Sequence, residues 1–105
     1  MSFLDNLSNI NKANNKTKVK ELWDVEGIIK DKSNQVFKFD LRPLKNNIKG
    51  GSFKTKADKM VFDIKDQWII VDINELHEYL KKNNFKKIQL ENLISNLEWN
   101  IIIKK

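Results

Sequence analysis

The first apolar positions of the chain recur at helical spacing. They fall on one face of a helix drawn over residues 2–10: Phe3, Leu4, Leu7 and Ile10. Ser2 can cap this helix, and Asp5 stands at its third position, where an acidic side chain completes a capping box. Residues 11–18 have no apolar period and are predicted to be a polar linker.

Alternating apolar and polar positions then predict β-strands. Residues 19–30 form the first strand, with a bulge or bend at Gly27, and residues 35–41 form the second. Residues 31–34 between them have turn-forming side chains, so the two strands are predicted to pair as a hairpin. Residues 59–64 and 67–71 form a second predicted hairpin.

The last third of the chain predicts two helices and a strand. Asp72 lies three residues before Glu75, the spacing of a capping box, and opens a helix that Asn83-Asn84 ends. Residues 89–97 are predicted to be a second, short helix, and residues 99–103 a final strand.

The predicted order is helix, two strands, a long loop, two strands, two helices and a strand. A chain of 105 residues suits one domain, with residues 19–103 as its core. We therefore expect an α+β fold: an antiparallel sheet with an N-terminal helix and a C-terminal helix pair, a plan that resembles an atypical winged helix-turn-helix. Core packing is the expected role of most aromatic residues on the strands: Trp23, Phe37, Phe39, Phe62, Trp68 and Trp99.

Charge and composition restrict the classes of partner that the protein is expected to bind. The net charge of +6 and the pI near 9.5 favour a polyanion: DNA, RNA or an anionic membrane surface. Cysteine is absent, which excludes disulfides and thiolate metal sites. The N-terminus does not read as a signal peptide, and the apolar runs are too short to span a bilayer, so a cytoplasmic protein without a membrane partner is expected.

The strongest local signal is a basic connection over residues 42–59. Its cations can neutralise phosphates, and its amides and hydroxyls can bind bases or phosphate oxygens. Gly50-Gly51 would let backbone N–H groups approach a phosphate. A solvated loop in a Lys-rich protein is the competing interpretation. The candidate contacts are Arg42, Lys45, Asn46, Asn47, Lys49, Ser52, Lys54, Thr55, Lys56 and Lys59.

Two further clusters of basic residues are candidates for nucleic-acid contacts. One surrounds the turn between the two C-terminal helices, as in a helix-turn-helix, and consists of Lys81, Lys82, Lys86 and Lys87. The second helix would then read bases through Gln89, Asn92 and Ser95, although a helix pair packed on a sheet explains the same pattern. The cluster Lys12, Lys16, Lys18 and Lys20 is either an arm that follows a DNA groove or a plain linker.

No catalytic constellation is evident, and no cofactor or metal is expected. His77 is the sole histidine, so neither a zinc site nor a catalytic triad can be assembled. Asp40, Asp63 and Lys65 faintly match the acidic core of metal-dependent nucleases, but a chain rich in Lys and Asp produces such spacing by chance.

The C-terminal half resembles the TcpK family, winged-helix accessory DNA-binding proteins of conjugative-plasmid relaxosomes. The resemblance is carried by the helix over residues 72–84, the helix over 89–97, the strand over 99–103, and the hairpin over 59–71 as a candidate wing. It implies a homodimer that binds the origin of transfer and works with a relaxase or another DNA-processing protein.

The sequence thus predicts a sequence-specific double-stranded DNA-binding protein, not an enzyme. Arg42, the one arginine, is the candidate for a bidentate guanine contact, and the lysines of the connection would contact phosphates. Two alternatives stay open: a plasmid or phage protein-interaction module without DNA binding, and a single-stranded nucleic-acid binder.

Overall fold

A computed structural model describes residues 2–32, 34–43, 47–49, 55–83, 87–89 and 94–105. After a short 3-10 helix (Phe3–Asn6), the described elements are β1 (Leu7–Lys12), α1 (Asn15–Glu21), β2 (Val25–Ile29), β3 (Val36–Pro43), β4 (Asn47–Lys49), β5 (Lys59–Asp63), β6 (Gln67–Asp72), α2 (Ile73–Asn83), β7 (Lys87–Gln89) and β8 (Asn100–Lys104). The α+β class is confirmed.

The main sheet has six strands in the order β1-β2-β3-β5-β6-β8. Its centre differs from the prediction, because β3 and β5 run parallel, with Phe39 opposite Lys59, while the other neighbours are antiparallel. Parallel neighbours need a crossover of a dozen or more residues. The connection over residues 44–58 supplies that length, so its length is the sequence signal of the mixed sheet.

Both faces of the sheet are packed. On the α2 face, Met60, Phe62, Ile69 and Val71 meet the apolar side of α2. On the opposite face, which we call the Phe3 face, the ring of Phe3 lies 5.4 Å from Phe39 and 6.1 Å from Trp68. The central strands β5 and β6 are consequently buried on both sides and read as continuous apolar runs.

The structure of residues 2–20 differs from the prediction. The helix over 2–10 is wrong, since helical geometry ends at Asn6 and residues 7–12 pair with β2. Leu7 is buried in the core, and Asn9 takes a left-handed φ of 54° at a bulge. Asn is a poor helix former, and strand pairing therefore overrides the local apolar period. The Asp5 cap is confirmed, as Ser2 N–H donates to its Oδ2 at 2.9 Å.

The predicted linker over 11–18 is also wrong, because α1 occupies Asn15–Glu21. The strand predicted over 19–30 consequently begins only at Val25.

Both predicted hairpins and the first C-terminal helix are confirmed. Strands β2 and β3 pair antiparallel, as do β5 and β6. Asp72 Oδ2 caps α2 by accepting the N–H of Glu75 at 3.1 Å. Glu75 does not close a capping box there but accepts the N–H of Trp99, which ties α2 to the start of β8.

The helix predicted over 89–97 is only partly seen. Residues 87–89 are a strand, and residues 94–96 are helical; residues 90–93 lie outside the described residues. A second C-terminal helix beginning at Gln89 is therefore wrong, and the winged helix-turn-helix is not confirmed. Within the described ranges, no helix is long and apolar enough to cross a membrane.

Candidate nucleic-acid interface

A two-stranded ribbon brings two separated basic segments of the sequence together. Strands β4 and β7 pair antiparallel, with Asn47 opposite Gln89 and Lys49 opposite Lys87. All four are predicted contact residues, and they come from the connection and from the C-terminal cluster. Sequence reasoning singled out the residues but gave no sign that they pair.

The pairing concentrates charge and amide groups in one element. Like charges on directly opposite strand residues repel, at a cost of roughly 0.2–1 kcal/mol. Lys49 and Lys87 occupy such positions, and no acidic residue stands in either strand. The two strands of the ribbon thus carry two lysines at opposite register positions and no acidic residue.

Helix α1 forms a second basic element. The side chain of Asn14 caps its start by accepting the N–H of Thr17 at 2.8 Å, and Leu22 ends it with a left-handed φ of 62°. None of the seven helical residues is buried, and Val19 is 80% exposed. The capping groups thus hold a short helix whose lysines face solvent: Lys16, Lys18 and Lys20.

Backbone contacts join α1 to the end of the basic connection. The N–H of Lys56 donates to the carbonyl of Glu21 at 2.8 Å, and the hydroxyl of Thr55 donates to the carbonyl of Leu22 at 3.1 Å. Lys38 lies beside them, its ammonium 5.2 Å from the ring centre of Trp23. We call these five lysines the basic surface: Lys16, Lys18, Lys20, Lys38 and Lys56.

Carboxylates near the basic surface are held by local donors. Glu21 accepts the indole N–H of Trp23, and Asp58 accepts the N–H of Lys38. Asp24 accepts the N–H of Leu41 and lies 3.5 Å from the ammonium of Lys18. A fourth carboxylate, Glu26, stands opposite Lys38 in the β2–β3 register. Five lysines against four carboxylates leave a small positive excess, and of the five only Lys18 has an ion pair among the described residues.

Two predicted contact residues are structural instead. Lys59 is 7% exposed; its ammonium lies 2.8 Å from Asp72 Oδ1 and 3.8 Å from the ring centre of Trp99. Thr55 is 8% exposed, and its hydroxyl also accepts the N–H of Ala57. Neither side chain is presented to a nucleic acid, so both are corrected to roles in the fold.

Arg42 is already engaged within the chain. Its Nε and Nη2 donate to the two carboxylate oxygens of Asp40 at 3.2 and 3.0 Å. The Asp40 side chain is only 7% exposed, and a buried carboxylate needs such a partner. Arg42 could read guanine only by leaving Asp40, and the direct-readout role therefore has no support in this geometry.

One of the remaining predicted contact residues lies on the basic surface, and the others lie outside the described ranges. Lys56 is exposed on the basic surface. Lys45, Asn46, Ser52, Lys54 and Lys86, with Gly50-Gly51, lie outside the described residues.

The faint nuclease pattern does not assemble. Asp40 alternates with the residues of the Phe3 face and lies on the α2 face, next to Met60. Asp63 pairs with Trp68 on the Phe3 face, where it binds Lys105. Two carboxylates on opposite faces of a sheet cannot hold one metal ion.

Comparison of the chain with protein-family models, with curated proteins and with solved structures found no match.

Proposed function

We propose that this protein binds double-stranded DNA in a sequence-specific manner, with the β4–β7 ribbon reading bases and the basic surface contacting phosphates. The observation that carries the proposal is the ribbon register, which sets Asn47 opposite Gln89 and Lys49 opposite Lys87. Two-stranded ribbons fit the major groove of B-form DNA and are used there by known DNA-binding proteins.

The chemistry of the ribbon suits base recognition. Asn and Gln side chains can each make a bidentate contact to adenine, worth about 1–3 kcal/mol of discrimination against another base. Asn47 and Gln89 together would cover neighbouring bases, and Lys49 with Lys87 would bind flanking phosphates or guanine. This assignment replaces Arg42 as the reading residue.

The basic surface would supply affinity without sequence preference. Lysines that neutralise phosphates release counterions, so binding weakens steeply as salt rises. Lys16, Lys20 and Lys56 are exposed, and hydrogen bonds hold their backbone: α1 is capped at both ends and is bonded to residues 55–56. Such a surface can contact phosphates of any sequence.

Burial of the aromatic residues favours a duplex over a single strand. Single-stranded binders stack bases on exposed rings. Here Trp23, Phe39, Phe62 and Trp68 are buried, while Phe37 and Trp99 flank the Lys59 ammonium. The four buried rings cannot stack bases, and the two half-buried rings are already in contact with the Lys59 ammonium.

The predictions about the biological role of the protein have no further support in the structure. Origin-of-transfer binding and a relaxosome role rest on the family resemblance alone, as does a relaxase partner. The absence of enzymatic activity likewise stays a prediction. In the proposal the ribbon takes the place of the recognition helix that a winged helix-turn-helix would use.

The test begins with selection of a preferred site from random duplexes, followed by anisotropy titrations on that site and on a scrambled duplex. Asn47→Ala and Gln89→Ala should reduce the preference for the site by about 1–3 kcal/mol each. The double variant Lys16→Ala/Lys20→Ala should weaken both duplexes equally and lower the salt slope by about one per lost contact. Lys65→Ala, exposed in the β5–β6 turn away from α1, is the matched control.

One charge reversal separates function from stability. Lys87→Glu would place opposite charges at a register pair where like charges now repel. It should raise ribbon stability by up to about 1 kcal/mol while it weakens DNA binding. If no variant of the ribbon or of the basic surface changes binding beyond Lys65→Ala, or if no duplex binds at low salt, the proposal is wrong.

A further inference from the structure

The two edge strands of the main sheet differ in side chains and in regularity. Edge strand β1 carries a bulge between Ser8 and Asn11, a left-handed Asn9, and exposed polar side chains. Bulges and polar residues of this kind block pairing with another chain. Edge strand β8 has a regular register with β6 from Asn100 to Lys104 and an apolar centre.

The outer side of β8 is unpaired in the part of the chain that the structure describes. Ile102 is 45% exposed, and Ile101 and Ile103 are half-buried at the border of the Phe3 face. An exposed apolar edge without a bulge is a template for strand addition. Because β1 is blocked, head-to-tail growth through β1 and β8 is disfavoured.

From this contrast we infer that β8 is a dimerisation strand that pairs antiparallel with β8 of a second copy. A two-fold axis at Ile102 sets Ile102 against itself and Ile101 against Ile103. Lys104 then faces Asn100 of the partner copy, so no like charges stand opposite each other. A parallel arrangement would instead bring the two Lys104 residues together, which costs free energy.

The position of the Lys105 charge supports this register. The ammonium of Lys105 binds Asp63, and its N–H donates to the carbonyl of Asp66 at 3.0 Å. These contacts draw the Lys105 ammonium back to the β5–β6 turn of its own chain, away from the edge. The pairing is self-complementary, as a two-fold interface requires.

The inference goes beyond the proposed DNA binding and does not depend on it. In such a dimer the two sheets become one, and the α2 faces of both copies lie on the same side, because the axis is perpendicular to the sheet. All measurements are made without DNA, so their failure leaves the proposed function untouched.

Absence of cysteine from the chain allows a direct test. Opposite residues of an antiparallel pair have Cα atoms about 4.5–5.5 Å apart, within the range of a disulfide. Ile102→Cys should therefore form a covalent dimer under mild oxidation. Ile10→Cys is the matched control, an isoleucine of 40% exposure on the opposite, bulged edge.

Sedimentation equilibrium across a concentration series completes the test. The wild type should sediment as a dimer, and Ile102→Lys, which places two ammonium groups at the axis, should shift it to monomer with an unchanged circular dichroism spectrum. A monomeric wild type overturns the inference. So does a dimer in which Ile102→Cys fails to crosslink, or in which Ile10→Cys crosslinks as readily.

Discussion

The buried ion pair of Lys59 and Asp72 gives the sharpest prediction. The Lys59 side chain is 8% exposed, and its ammonium lies between the rings of Trp99 and Phe37, at 3.8 and 4.7 Å from their centres. Lys59→Met keeps an unbranched apolar stem in that space and deletes only the charge and its hydrogen bond. The expected result is a loss of stability with DNA affinity retained.

The size of the loss follows from the surroundings of Asp72. Removal of one partner of a buried pair costs about 3–5 kcal/mol, because the other charge stays desolvated. Asp72 is 27% exposed and keeps the hydrogen bond from the Glu75 N–H, so part of this penalty is avoided. We expect Lys59→Met to lower the free energy of unfolding by about 2–3 kcal/mol.

The loss should depend on pH with a defined sign. Burial raises the pKa of Asp72, but hydrogen bonds from Lys59 and Glu75 and the charge of Lys59 outweigh it and hold the pKa below its ordinary value of 3.8. A carboxyl with a depressed folded pKa contributes stability above its unfolded pKa and loses it as pH falls through the folded pKa. The wild type should thus keep the contribution of the ionised Asp72 from neutral pH down to about 4 and lose it as the pH falls further.

Urea unfolding followed by tryptophan fluorescence measures both effects. Lys56→Met, three residues upstream and exposed, is the control: it should change stability by less than about 0.5 kcal/mol and weaken DNA binding. A Lys59→Met protein as stable as the wild type would refute the structural role. A loss of DNA affinity at full stability would restore Lys59 as a contact residue.

Two further substitutions test the packing of the sheet. Arg42→Ala leaves the Asp40 carboxylate without its bidentate partner and should lower the free energy of unfolding by about 1.5–3 kcal/mol, measured by urea titration; equal stability would show that the pair is dispensable. Gly27→Ala would place a Cβ 3.0 Å from the Ser8 carbonyl oxygen and 3.3 Å from Leu7 Cβ, and should cost about 1–3 kcal/mol. An unchanged melting temperature would contradict that close approach.

Local rules predicted the elements that local interactions determine. The β5–β6 hairpin and α2 were predicted to within two residues, because alternation and the Asp72 cap act over a few positions. Helix α1 was missed since it buries no residue, and an apolar period is the signal that finds helices. Strand β1 was missed because pairing with β2 outweighs the helical spacing of its apolar residues.

The candidate site was predictable as a set of residues but not as an arrangement. Charge counting selected Asn47, Lys49, Lys87 and Gln89, while their pairing depends on how the chain crosses the sheet. The same counting selected Lys59, whose burial depends on Asp72 and on Trp99, forty residues away in sequence. Charge indicates the partner class, whereas tertiary contacts decide which cations can reach it.

The parallel pairing of β3 with β5 has a consequence for how the chain folds. Each half of the sheet on either side of that pair is antiparallel, and the β5–β6 hairpin closes through three residues, so it should form early. The parallel pair must wait for the connection over residues 44–58 to close. The entropy of closure grows slowly with length, so that halving this connection would gain only about 0.6 kcal/mol. The chain can therefore keep a long basic crossover at the centre of its sheet with little loss of stability, at the expense of a slower final docking of its two halves.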